Sequence, residues 1–188
     1  MDSYIDIRLL PDPEFAQNQL MNALFAKLHR ALAQQRTYDI GVSFPRMQAK
    51  PHTLGDRLRL HGTAQALQAL MTLDWLSGMR DHTSVADLQA VPARTQYRVV
   101  RRVQNKSNPE RLRRRLAKRH GLTEEQARER IPDTMKSRLL DLPFVTLRSQ
   151  STGQNFRLFV EQGELLEQPH SGAFSAYGLS NAATVPWF

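Results

Sequence analysis

Six histidines, at positions 29, 52, 61, 82, 120 and 170, are the side chains best suited to move a proton near neutral pH. None stands in a His-x-x-x-His or His-Glu-x-x-His spacing, so a metal site has no sequence support and any catalysis is expected to be metal-free, without a cofactor. His29 falls beside the apolar run Phe25, Leu28 and Leu32, where an imidazole is either a base or a satisfied edge residue. With no cysteine there is no thiolate nucleophile, no Cys-based zinc site and no disulfide framework. Gly-rich phosphate loops and a Gly-x-Ser-x-Gly elbow are missing too, which removes nucleoside-triphosphate enzymes and α/β hydrolases. What remains is cationic. Arg111, Arg114, Arg115 and Lys118 are spaced i, i+3, i+4, i+7 and share one helical face, with Leu112 and Leu116 on another, a stripe suited to the paired phosphate backbones of a groove. Arg102 and Gln104 point the same way from an extended segment. They are either two exposed polar residues or a pair able to read neighbouring guanine and adenine edges. Phe156 follows a hairpin turn and is either core or a platform for a base.

The charge distribution favours a polyanion. Of 188 residues, 26 are Lys or Arg and 18 are Asp or Glu, for a net charge of +8. Residues 94–119 hold eleven of those cations against the single acid Glu110, and the remainder holds 15 cations against 17 acids. A near-neutral globule with one concentrated cationic segment fits nucleic acid, because each phosphate neutralised releases counterions. A solvated basic helix or an anionic lipid surface are the other readings, but the segment lacks the Trp or Phe face of an interfacial helix. Apolar residues at 40% support an ordinary packed core. Neither a membrane span nor a signal peptide is expected from the interrupted apolar runs and the opening MDSYIDIRLL, so a soluble, cytoplasmic protein is expected.

The elements that must position these residues follow from periodicity. Tyr4 to Leu9 alternates as a strand, and Glu14 to Gln35 places Met21, Leu24, Phe25, Leu28 and Leu32 at helical spacing. Strands are expected over 38–44 and 54–61, a short helix capped by Thr63, and a strand carrying Val99, Val100 and Val103. That order is the ferredoxin-like (RRM-like) β-α-β-β-α-β arrangement, which RNA-binding modules share with many proteins that bind no RNA. A basic helix then starts either from a Ser107/Glu110 capping box or from Asn108 with Pro109 at the first helical position, and stops near Gly121. Thr123 caps another short helix, and Pro143 to Ser151 and Phe156 to Glu161 form a hairpin across 152–155, ahead of a glycine-containing tail. The fold class expected is α+β, with a boundary near Pro92. Residues 1–94 form the ferredoxin-like domain with His29, and 95–188 form an RNA-recognition α/β domain with the arginine-rich helix and C-terminal strands.

Longer strings carry a resemblance. Asp6-Ile7-Arg8-Leu9, Pro11-Asp12-Pro13-Glu14-Phe15, Gly41-Val42-Ser43-Phe44-Pro45, Arg102-Val103-Gln104, the run from Lys106 to Leu116, Arg130-Ile131-Pro132-Asp133-Thr134, the run from Leu142 to Gln154, Tyr177-Gly178-Leu179-Ser180 and Val185-Pro186-Trp187-Phe188 span nearly the whole chain. They resemble the hairpin-specific endoribonucleases that cut CRISPR precursor transcripts in type I-F systems. The resemblance implies that His29 is a general base for the 2′-hydroxyl upstream of the scissile phosphate, that Ser149 holds that hydroxyl in line and that Tyr177 helps to orient the histidine. It implies that Ser151 bonds near the same phosphate, that Phe156 stacks on the terminal base pair of the stem, and that Arg102 and Gln104 read the guanine and adenine at its base. Arg111, Arg114, Arg115, Lys118 and Arg119 resemble a helix inserted into the major groove of the hairpin, with Lys118 standing where arginine is expected. An A-form major groove is too narrow for side chains except near an open helix end, so a short stem is implied. The implied partners are the CRISPR repeat stem-loop and other type I-F effector-complex proteins, with the protein a monomer when alone. A catalytically silent hairpin-binding subunit is the alternative.

Overall fold

The computed structural model describes residues 1–104, 109–131, 141–149 and 152–188, without the side chains of residues 109–111. The expected cap of the basic helix at Ser107 or Asn108, and Ser151, lie outside the described residues. The chain begins β1 (Ser3–Leu9), α1 (Gln17–Gln35), β2 (Gly41–Ser43), β3 (Arg57–Gly62), α2 (Ala64–Met71), β4 (Thr83–Val85), β5 (Gln89–Ala90) and β6 (Gln96–Val103). It continues with α3 (Pro109–His120), α4 (Glu124–Arg130), β7 (Phe144–Arg148), β8 (Asn155–Gln162) and β9 (Thr184–Trp187). The fold class is α+β.

By their contacts the residues group into two units, Met1–Val103 with Leu142–Phe188, and Gln104–Asp141. The expected division between residues 94 and 95 followed charge, whereas this grouping follows packing. In the larger unit, one antiparallel sheet has the order β2-β3-β1-β4, with β5 also paired to β1, and a second has the order β7-β8-β6-β9. The β1 register sets Ile5 opposite Leu60 and Ile7 opposite Leu58, all buried, which follows from the period-two pattern in both segments.

One expectation needs correction. The strand carrying Val99, Val100 and Val103 does not complete the first sheet; it pairs with β8 and β9 in the second, and the edge place beside β1 goes to Thr83–Val85. Residues 99–103 pair with partners about 60 to 85 positions downstream, and nothing local in the segment encodes that choice. Within the glycine-containing tail Thr184–Trp187 is a strand, with Pro186 on the edge of its sheet, where a missing N–H is tolerated.

Helix α1 starts three residues later than expected. Asp12 Oδ1 accepts hydrogen bonds from Glu14 N (2.8 Å) and Phe15 N (2.9 Å), which holds that stretch as a turn, and Gln19 Oε1 accepts from Ala16 N (3.1 Å). From Gln17 on, Met21, Leu24, Phe25, Leu28 and Leu32 are buried on one face, each contributing about 1.5–3 kcal/mol of apolar burial. Asn22 Oδ1 accepts from Thr146 N at 2.9 Å and so ties α1 to β7.

In the smaller unit α3 packs on α4. Thr123 Oγ1 accepts from Gln126 N and Gln126 Oε1 from Thr123 N, the expected cap of the short helix, and Gly121 takes φ +62° at the stop of the basic one.

Candidate active site and RNA-facing residues

Local geometry brings His29 to a cleft. It lies one turn after Phe25, and a residue at i+4 stands on the same helix face, so a single flat ring can cover both. Tyr177 supplies that ring: it is parallel to Phe25 within 1° at 6.5 Å between centroids, and within 16° of His29 at 4.0 Å. Phe25 is fully buried, so it anchors the stack while His29 keeps part of its surface open.

Tyr177 is delivered by the turn Ser175–Gly178. Gly178 N donates to Ser175 O at 2.8 Å, and Val42 N donates to Gly178 O at 2.9 Å, which docks the turn on β2. Gly178 has φ +68°, and a Cβ there would come within 2.6 Å of Val42 Cγ1, so the position requires glycine. The same turn presents the carbonyl of Ala176 to His29 Nδ1 at 2.8 Å. A carbonyl can only accept, so Nδ1 carries the proton and, in the neutral ring, Nε2 holds the free lone pair.

The cleft has a volume of about 660 Å³ and is lined by His29, Ser149, Phe156 and Tyr177, together with Ala26, Arg30, Leu147, Arg148 and Gly153. Its lining holds two arginines and no acid, a field that suits a phosphate. Ser149 enters at the end of β7. Its N–H donates to Gln154 O (2.9 Å), its carbonyl accepts from Gly153 N (2.9 Å), and its Oγ accepts from Thr152 N (3.3 Å). Arg148 Nε donates to Gly153 O at 3.1 Å, bracing the same loop.

Arg102, on β6, is half-buried rather than spread on an open strand. Its guanidinium carbon lies 5.6 Å from the Phe156 ring centroid and 5.5 Å from that of Tyr177, and its Nε is buried with no hydrogen-bond partner among the described residues. Phe156 is partly buried against the core. His29, Ser149, Tyr177, Arg102 and Phe156 are thus brought together, whereas Gln104, exposed, and α3 belong to the other unit. On α3, Arg114, Arg115, Lys118 and Arg119 are exposed. Arg111 lies in its first turn. Arg113 is buried, with Nε donating to Ile131 O at 2.7 Å, so it braces the helix ends instead of projecting. Sequence reasoning missed Arg30 and Arg148 as cleft residues, although each is adjacent to a residue it had singled out. Among the described residues, no group of three or more His, Asp or Glu is placed to hold a metal ion.

A family model described as a CRISPR-associated protein (Cas_Csy4) matches residues 4–188. The chain belongs to this family. Among relatives of the family, a CRISPR-associated endonuclease Cas6/Csy4 of Pseudomonas aeruginosa (strain UCBPP-PA14) is 58% identical over 188 residues, covering all of both chains. A CRISPR-associated endonuclease Cas6/Csy4 of Escherichia coli (strain UTI89 / UPEC) is 53% identical over the same length, again covering all of both chains. Among the described residues, no helix is long and apolar enough to cross a membrane.

Proposed function

We propose that this chain is an endoribonuclease that cuts CRISPR repeat RNA at the 3′ base of a stem-loop without a metal ion. His29 Nε2 takes the proton of the upstream 2′-hydroxyl. The 2′-oxygen attacks the adjacent phosphorus and the 5′-oxygen departs, leaving a 2′,3′-cyclic phosphate and a 5′-hydroxyl. The nucleophile is already covalently beside the phosphate, so no external water has to be activated. Ser149 holds the 2′-hydroxyl in line, Ser151 bonds near the phosphate, and Tyr177 keeps the imidazole in plane. The observation that carries the reading is the 2.8 Å bond from His29 Nδ1 to Ala176 O, which leaves Nε2 as the acceptor in a cleft lined by cations.

Phe156 stacks on the closing base pair, with Arg102 and Gln104 on its guanine and adenine edges, while Arg111, Arg114, Arg115, Lys118 and Arg119 follow the stem phosphates. Arg102 rests within cation–π range of Phe156 in the free protein, so it turns outward as the base pair arrives. The stem keeps these contacts after cutting, so the protein stays on its product, as part of a type I-F effector complex, and is a cytoplasmic monomer when alone.

The test is cleavage of a repeat hairpin in excess chelator, beside the same RNA with one 2′-deoxy nucleotide at the cut, with wild type and His29→Ala. The expected result is cutting of the all-ribose RNA by wild type only, and tight binding of both RNAs by both proteins. Tight binding without cutting by wild type would instead identify a silent hairpin-binding subunit.

A further inference from the structure

Arg30 belongs to more than the cleft around His29. It also lines a second cavity of about 450 Å³, with Lys27, Gln34, Asp74 and Trp75. Helical geometry explains the continuity. Ala26 and His29 form one stripe of α1, Lys27 and Gln34 form the next, and Arg30 falls between them, so it borders both spaces.

The second cavity offers the chemistry of a nucleotide site. Arg30 is exposed and has no ion pair or hydrogen bond among the described residues, which leaves its fork open to a phosphate. Lys27 adds a second cation, positioned by donation from its Nζ to Ser77 O at 2.6 Å. The one acid of the lining, Asp74, is already paired with Arg80 at 2.7 Å. Trp75 is only 8% exposed, yet its indole Nε1 has no hydrogen-bond partner among the described residues. That nitrogen lies out of reach of a ligand in the cavity, so what the indole offers a nucleotide there is its apolar edge. The exposed amide of Gln34 adds both a donor and an acceptor. The volume falls within the roughly 300–1,000 Å³ of small-molecule sites.

We infer that this cavity binds the single-stranded nucleotide on the 3′ side of the cut, with the phosphate on that nucleotide's own 3′ side on Arg30 and its base against Trp75 and Gln34. The inference rests on the function proposed above. With the stem on Phe156 and the scissile phosphate at His29, Arg30 leads out of the cleft into the second cavity. The precursor carries this nucleotide and the retained product does not, so the subsite favours uncut RNA over product and releases the 3′ fragment once the chain is broken.

The probe is a repeat hairpin blocked by a 2′-deoxy nucleotide at the cut, either flankless and ending there in a 3′-phosphate or carrying a 3′ flank of one or three nucleotides that ends in a 3′-phosphate, bound to the full chain at about 0.1 M salt. The readout is the ratio of flanked to flankless affinity. In wild type the first flanking nucleotide tightens binding by roughly fivefold or more. The ratio falls towards one in Gln34→Glu, which sets a carboxylate in the cavity, and falls in Arg30→Ala. An abasic flank keeps only the part due to phosphate. A ratio of one in wild type, a ratio unchanged in Gln34→Glu, or an abasic flank as good as a natural one would overturn the subsite. A flankless hairpin that is neither bound nor, in its all-ribose flanked form, cut would overturn the proposed function itself, so the two failures are distinguishable.

Discussion

Lowering the pH should destabilise this protein through His61, a residue remote in role from catalysis. His61 is fully buried on β3, with Nε2 2.8 Å from Ser43 Oγ and Nδ1 without a partner among the described residues. Burial, aided by the nearby Arg59 guanidinium and the N-terminal ammonium, pushes its pKa down to about 3. In the unfolded chain the ring titrates near 6.5, so between those values the unfolded state binds a proton that the folded state refuses. The stabilisation is therefore fully present above about pH 6.5 and is lost as the pH falls towards 3. At pH 4.5 the unfolded ring is protonated about a hundredfold in excess and the folded ring scarcely at all, a loss of about 3 kcal/mol relative to pH 7.5. Urea unfolding at half-unit steps from pH 7.5 to 4.5, in wild type and His61→Gln, isolates this contribution, since every other titratable group is common to both proteins. The wild-type curve should fall more steeply by about one proton per molecule. Equal slopes would refute the argument. The result also bears on catalysis, because any loss of cutting at acidic pH has to be separated from destabilisation through His61.

The other expectations concern the cleft. Asn22→Ala removes the acceptor for Thr146 N and should cost about 1 kcal/mol in urea unfolding, while lowering the cleavage rate more than hairpin affinity because β7 carries Ser149. Gly178→Ala should destabilise by about 1–3 kcal/mol and slow cutting, since the φ of +68° and the Val42 contact displace the turn that holds Tyr177 and Ala176. Phe156→Ala should weaken hairpin binding by about 1–3 kcal/mol in a filter-binding titration, with stability measured alongside because the ring also packs on the core. Arg102→Ala should lose about 1–3 kcal/mol of discrimination between the cognate hairpin and one with its basal guanine replaced, and the cation–π contacts to two rings besides.

Helix α1 was legible because its apolar residues keep the 3.6-residue period over more than three turns, and Thr63 and Thr123 were legible as caps because a hydroxyl at that position has one local use. Strands β4 and β9 were not. Thr83–Val85 has three residues and little apolar alternation, and Thr184–Trp187 contains a proline; both exist because an edge beside β1 or β6 accepts them. At the site, residue types pointed to His29 and Arg102, but the partner that fixes the histidine is a main-chain carbonyl 147 positions away, and every residue type has one. Charge counting likewise took Arg113 as one of the eleven cations of residues 94–119, while packing turned it inward to Ile131 O.

That a carbonyl holds His29 has a consequence for the cleft as a whole. A histidine base needs its tautomer fixed, and the commoner device is a carboxylate on Nδ1. A carboxylate would also set a negative charge beside Arg30 and Arg148, the two arginines that line the cleft. Ala176 O fixes the same proton with a neutral dipole, so the ring is oriented while the field of the cleft stays positive. The stack of Tyr177 on Phe25 and His29 supplies the remaining constraint, on ring tilt, again without charge. Orientation by neutral groups and attraction by arginines are then separable: loss of Tyr177 should reduce cutting at nearly constant affinity, and loss of Arg30 should reduce affinity with a shallower salt dependence.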